Sequence, residues 1–206
     1  DNTVDNDGAI KVERSVARFD FRDGSGKNNT YDVVKDQDDK PIMQIQLQKM
    51  ALVNMSKNFY FLRRVSDNGL SDGPNFKLCG TETSSNYVVD TDAAAKNDGS
   101  IIKNKEYENH FNFCLGNTTN DGWTIDADAR NQWFTSKISD VLNKGTDDNP
   151  DWGGTGDYKI WRYVTENTIP GLTTNQTNGI STGIVFKGKM IAPEGASGTL
   201  ADALNG

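Results

Sequence analysis

The feature that most restricts this chain is the run PIMQIQLQKMALVNMS at residues 41–56. Met43, Ile45 and Leu47 alternate there with Gln44, Gln46 and Gln48, so an extended strand gathers the apolar side chains on one face and the amides on the other. A helix would scatter the same residues around its surface. Near Lys49 the phase breaks and Met50 and Leu52 take over the apolar set, which predicts a long strand that shifts face or bulges. A strand of that length needs neighbours, and the rest of the chain offers several.

IKVERSVARFDF (10–21) is the first. Ile10 and Val12 alternate with Lys11 and Glu13. Ala17, Phe19 and Phe21 then share a face opposite Arg18 and Asp20, and a bulge at Arg14 or Ser15 would reconcile the two phases. DGSGKN (23–28) reads as a turn, after which TYDVV (30–34) is expected to return as the hairpin partner. NFYFLRRV (58–65) is a further strand candidate. YKIWRYVTE (158–166) places Ile160 and Val164 on one face, and ISTGIVFKGKMI (180–191) sets Ile180, Ile184, Phe186 and Met190 in period two after the Asn178-Gly179 turn signal. Gly183 and Gly188 either weaken that last strand or let another backbone come close to it.

Between these blocks, residues 66–109 are rich in Asp, Asn, Gly, Ser and Lys, with short apolar islands at Phe76–Leu78 and Tyr87–Val89 and room for one helical turn at 90–99. The one long helix is expected at 127–145, where Phe134, Ile138, Val141 and Leu142 form a stripe with Trp133 at its margin. Asp126 or Asp128 would cap its start, Lys144 suits its C-terminal end and Gly145 its C′ position. One helix among many strands predicts a mainly β protein, a sandwich with a helical insertion within about residues 66–157. All-β chains of this length, 206 residues, are often one domain, so 1–206 is expected to be a single sandwich domain. Both ends read as loop, the last fifteen residues as the lead into an insertion, and the whole as a piece of a longer polypeptide.

Chemistry is sparse by comparison. The formal net charge of -7 makes nucleic acid and anionic membrane surfaces poor partners. No apolar run approaches the roughly 18 residues of a membrane span. There is one histidine, His110, in NHFNF, and the nucleophile-elbow, zinc-protease, phosphate-loop and dinucleotide motifs are all absent. Glu166 ends a strand in YVTENTIPG without a second carboxylate at a telling spacing, although distant carboxylates could pair as in a secreted hydrolase. Residues 3–14 place Asp5, Asp7 and Gly8 as in a calcium loop, but Arg14 stands where a bidentate Glu is needed, and 117–128 fails in the same way with Asn117 first and Asp128 last. A calcium loop of another kind, or sugar stacking on Trp123, Trp133, Trp152 and Trp161, would make the chain a carbohydrate-binding or calcium-dependent adhesion module. Cys79 and Cys114 form no ligand cluster and read as buried thiols, with a disulfide between them as the alternative. No catalytic, cofactor-binding or metal-binding residue is assigned, and no cofactor.

Two stretches together carry a resemblance. KVERSVARFDF (11–21) resembles the Arg-containing strand that opens the second domain of the Bacteroidetes fimbrillins, the type V pilins. IWRYVTENT (160–168) followed by GISTGIVFKGKM (179–190) is similar to their Tyr-Val-x-Glu-Asn strand end and the long strand after it. The likeness is greatest to the shaft subunits of Mfa-type short fimbriae. It implies transthyretin-like β-sandwich domains, export as a lipoprotein to the outer membrane, and polymerisation by strand exchange with other pilin copies and accessory subunits. It also implies a role in adhesion, with host or bacterial surface receptors as further partners, and no enzymatic activity. In that family Glu166 and Asn167 would shape a strand end. The lipidation Cys, the first domain and the donor strand of the family pattern have no counterpart in the sequence.

Overall fold

The computed structural model describes residues 16–61, 64–66, 77–78, 87–89, 91, 108–115, 127–145, 157–165 and 182–205. In chain order their elements are β1 (Val16–Phe21), β2 (Thr30–Lys35), β3 (Pro41–Val53), β4 (Met55–Ser56), β5 (Arg64–Ser66), β6 (Lys77–Leu78), β7 (Tyr87–Val88), β8 (Phe111–Asn112), α1 (Ala127–Asn131), β9 (Ser136–Lys137), α2 (Ile138–Leu142), β10 (Lys159–Thr165), β11 (Gly183–Ile191) and α3 (Thr199–Asn205). The protein is mainly β, and its sheets are antiparallel. The chain divides into two compact units. Asp1–Arg18, Leu52–Arg130 and Tyr163–Gly183 make the first, and Phe19–Ala51, Asn131–Arg162 and Ile184–Gly206 the second.

In the second unit β3 is the central strand of a sheet ordered β11-β3-β2, with β9 also paired to β3. The expected hairpin of β2 on β1 does not form: β2 pairs with β3, and β1 with β10. The turn sequences explain the exchange. Asp23 accepts the Ser25 N–H at 2.8 Å, the Ser25 hydroxyl at 2.6 Å and the Asn29 N–H at 3.0 Å. Gly26, Asn28 and Asn29 are all left-handed, so this closed loop turns the chain away instead of folding it back. By contrast Asp36-Gln37-Asp38-Asp39 makes a tight reversal. The Asp36 carboxylate accepts the N–H groups of Asp38 and Lys40, each at 2.9 Å, and its own N–H donates to the Lys40 carbonyl. Asp39 takes the left-handed position, at φ 63°. That reversal sets Asp32 opposite Gln44, whose side-chain amide donates to the Asp32 carboxylate at 2.7 Å.

The phase break expected in β3 is resolved by burial on both faces. Residues 41–49 are largely half-buried, whereas Met50, Ala51, Leu52 and Val53 are all at most 1% exposed. A strand covered on both sides has no need of alternation. The helix expected at 127–145 is a correction. It splits into α1 and α2, with β9 between them pairing Lys49 with Lys137 and Met50 with Ser136. The i, i+4 spacing of Phe134 and Ile138 belongs to a strand as well as a helix, and the Trp133-Phe134-Thr135 run favours the extended form. Ile138 and Val141 of the expected stripe are buried, while Phe134 and Leu142 are half-buried. Helix α2 stops at Leu142, three residues before Gly145, with the Asn143 N–H bonded to the Ser139 carbonyl at 3.0 Å. Lys144 reaches away to donate to the Ile160 carbonyl at 2.7 Å.

Trp161 of β10 is buried and packs obliquely on Phe19 at 6.3 Å between ring centroids. Gly188 in β11 fulfils the close-approach expectation: a β-carbon there would lie 2.7 Å from the Gln46 carbonyl oxygen and 2.8 Å from the Ile45 side chain. The C-terminal stretch, read as a lead into an insertion, folds as α3, whose Ala201 is buried. It follows the left-handed Gly198, whose carbonyl accepts the Asp202 N–H at 2.9 Å.

In the first unit Asn54 separates β3 from β4. It is left-handed (φ 54°) and buried, and it bonds three ways: its N–H to the Phe113 carbonyl, its side-chain oxygen to the Leu115 N–H and its carbonyl to the Thr182 hydroxyl. Strand β4 pairs with β8, and β5 lies between β6 and β7, which fall on the two apolar islands of the polar region. Among the described residues of the expected 58–65 strand, Arg64 and Val65 pair, in β5, and 58–61 do not: the Ser56 hydroxyl turns the chain by donating to the Asn58 carbonyl and Phe59-Tyr60-Phe61 has no polar alternation. The Arg64 guanidinium lies 3.9 Å over the Tyr60 ring.

Candidate interaction surface

Both ends of the β11-β3-β2 sheet carry unusual side chains for a strand edge. Ile184, Phe186 and Met190 of β11 share one face by their period-two spacing, yet they stand 37–43% exposed. Phe186 is covered on one side by Phe21, at 6.2 Å between centroids. The period-two spacing marks a common face without saying that the face is covered. On the other face of β11 Lys187 donates to the Asn131 side-chain oxygen at 3.0 Å, and Lys189 is exposed. Among the described residues β11 pairs with β3 alone, which leaves its other edge a row of main-chain donors and acceptors.

At the opposite end, β2 is interrupted. Its register on β3 shifts between Asp32 and Val34 and again between Val34 and Lys35, so Val33 has no counterpart and neither has Ile42. Val33, Val34 and Ile42 are 40–49% exposed beside the Asp36–Asp39 turn, where Lys35 and Asp39 form an ion pair at 3.0 Å. The Asp39 carboxylate accordingly raises the Lys35 pKa. The adjacent valines of TYDVVK were the readable sign of this bulge, because two neighbouring apolar residues cannot share one face of a regular strand.

The residues singled out for chemistry fall elsewhere. His110 is half-buried in the turn before β8, where its carbonyl accepts the Lys57 N–H. Cys114 carries a buried thiol that donates to the Phe111 carbonyl, and burial first, with the Glu108 charge second, pushes it up to about 12, so it is no nucleophile at neutral pH. Trp133 and Trp161 are buried, which removes both from any sugar-stacking platform. Glu166, Asn167, Cys79, Trp123, Trp152 and both calcium-like loops, apart from Ala127 and Asp128, lie outside the described residues. Among the described residues no group of three His, Cys, Asp or Glu could hold a metal ion, and no helix is long and apolar enough to cross a membrane. No family model, no curated protein and no solved structure matches the chain.

Proposed function

We propose that this chain is a β-sandwich part of a bacterial fimbrial shaft subunit, of the type V pilin class, that polymerises by β-strand exchange and has no enzymatic activity. The observation that carries the proposal is β11: a continuous nine-residue strand at the end of its sheet, with Ile184, Phe186 and Met190 exposed. A strand of this kind suits recognition by strand addition, in which main-chain bonds supply affinity and alternate side chains supply register. The order of the two fimbrillin-like stretches, at 11–21 and at 160–190, supports the same reading. In this role the partners are copies of the same pilin and accessory subunits, with surface receptors for adhesion and biofilm formation, and the location is a fimbrium on the outer membrane.

The test is electron microscopy of a longer form carrying the flanking sequence, before and after limited proteolysis. Filaments that appear on cleavage are the expected result. A protein that stays monomeric, or that turns over glycosides or esters in a manner abolished by His110→Gln or Glu166→Gln, would overturn the proposal.

A further inference from the structure

The two ends of the β11-β3-β2 sheet are complementary in charge, and each is repelled by its own kind. The stretch from Asp32 to Lys40 holds four carboxylates and two lysines, with exposed Val33 and Val34 among them and Ile42 just beyond, and Asp39 already occupies Lys35. Strand β11 holds Lys187 and Lys189 and no acid, on the face opposite exposed Ile184, Phe186 and Met190. We infer that the β2–β3 hairpin tip of one copy of this chain docks on the lysine-bearing face of β11 in a second copy, carboxylates against lysines, which leaves the main-chain edge of β11 open for strand addition.

Charge selects this arrangement over its rivals. An antiparallel pairing of β11 with itself about Gly188 would set Lys187 opposite Lys189 across the interface, and a tip-to-tip contact would set Asp38 and Asp39 against the same pair. Like charges directly opposite one another are unfavourable. Because β2 and β11 lie at opposite ends of one sheet, with β3 between them, the contact uses two different patches of each copy. Such a contact does not close on itself and propagates along a row of copies. The inference rests on the filament-subunit reading for its setting. It differs from strand exchange in needing no cleavage and in being electrostatic, so it should weaken as salt rises. A tip of this size makes a weak contact alone, and repetition along a filament would multiply it.

Sedimentation velocity of this chain at high concentration and low salt, compared with high salt, tests the inference. Salt-sensitive self-association is expected. Lys189→Glu and Asp38→Lys, each at an exposed position, should separately weaken it about tenfold or more. Mixing the two variants should restore it, because each then offers the other a matched surface. Should a charge reversal disturb folding, as seen by thermal melting, Lys189→Gln and Asp38→Asn provide the neutral pair and should weaken association with the salt dependence flattened. A wild-type chain that is monomeric in low salt overturns the inference. So do single variants that associate normally, and so does a mixture that fails to recover. Filaments from the longer form with no effect of the charge swap would sink this contact alone, whereas an intact swap without filaments would sink the pilus reading alone.

Discussion

Among the described residues, strands β2 and β11 end the same sheet and hang from the same central strand, yet β2 breaks register on it. Strand β2 is six residues long, breaks register twice within them, and runs into a turn whose Asp36 carboxylate ties down two N–H groups. Strand β11 is nine residues long, and close approach at Gly188 seats it tightly on β3. Both expose apolar side chains to a similar degree, so hydrophobicity does not distinguish them. The difference lies in length and in the breaks of β2. Bulges twist the main-chain row of β2 out of line, whereas β11 runs on as one strand of nine residues.

The largest test of this contrast strikes what the two edges share. Ile138 is fully buried just after β9, the strand that joins β3 at Lys49 and Met50. Ile138→Ala should cost about 2–4 kcal/mol in urea unfolding and loosen both edges together in hydrogen exchange. A loss under about half a kcal/mol would detach α2 from the support of the sheet. Gly188→Ala is next. Its methyl group would meet the Gln46 main chain, and overpacking of that kind costs about 1–3 kcal/mol. The damage should appear as faster exchange in β11 with β2 unchanged, and equal loss in both strands would break the contrast.

Phe186→Ala removes the Phe21 contact and half-exposed surface only, about 1 kcal/mol by thermal melting. Its larger consequence is reduced filament yield on the proposed function, whereas Val33→Ala at the bulge should leave yield unchanged. Smallest is an acid effect at the loop that precedes β2. Burial disfavours the Asp23 carboxylate, but the Ser25 hydroxyl and the N–H groups of Asn29, Ser25 and Gly26 outweigh it and lower its pKa. A depressed folded-state pKa means stability that is present above the ordinary value of 3.8 and lost as pH falls through the lower folded value. Acid unfolding of Asp23→Asn should lack that component below pH 3.8 and match the parent's shape above it.

Strands were legible wherever alternation ran for several residues, as at 41–48, 158–165 and 183–191, because a period of two states both the element and its face. Pairing was not. Nothing in TYDVV distinguishes β1 from β3 as a partner, and the choice was made by backbone N–H groups of the turns donating to the Asp23 and Asp36 carboxylates. The helix at 127–145 misled because four-residue spacing serves both periods, and α3 went unread because TLADALN is too short and too small in its side chains to announce itself. The exposed edge was half legible. Ile184, Phe186 and Met190 could be placed on one face from sequence, but what covers a face depends on chain that lies far away.

Asn54 has a bearing on how quickly the first unit can assemble. Its side chain is joined to Leu115, 61 positions along the chain, and its carbonyl to Thr182, 128 positions along. Contacts of such separation form only after the intervening segments have lost much of their freedom, so they slow folding in proportion to the loops they close. The Asn54 corner should therefore be among the last features to lock and should be absent from the folding transition state. Asn54→Ala would then leave the refolding limb of a chevron plot nearly unmoved and raise the unfolding rate, so that the corner acts as a latch on the time the fold survives and not as a seed from which it grows.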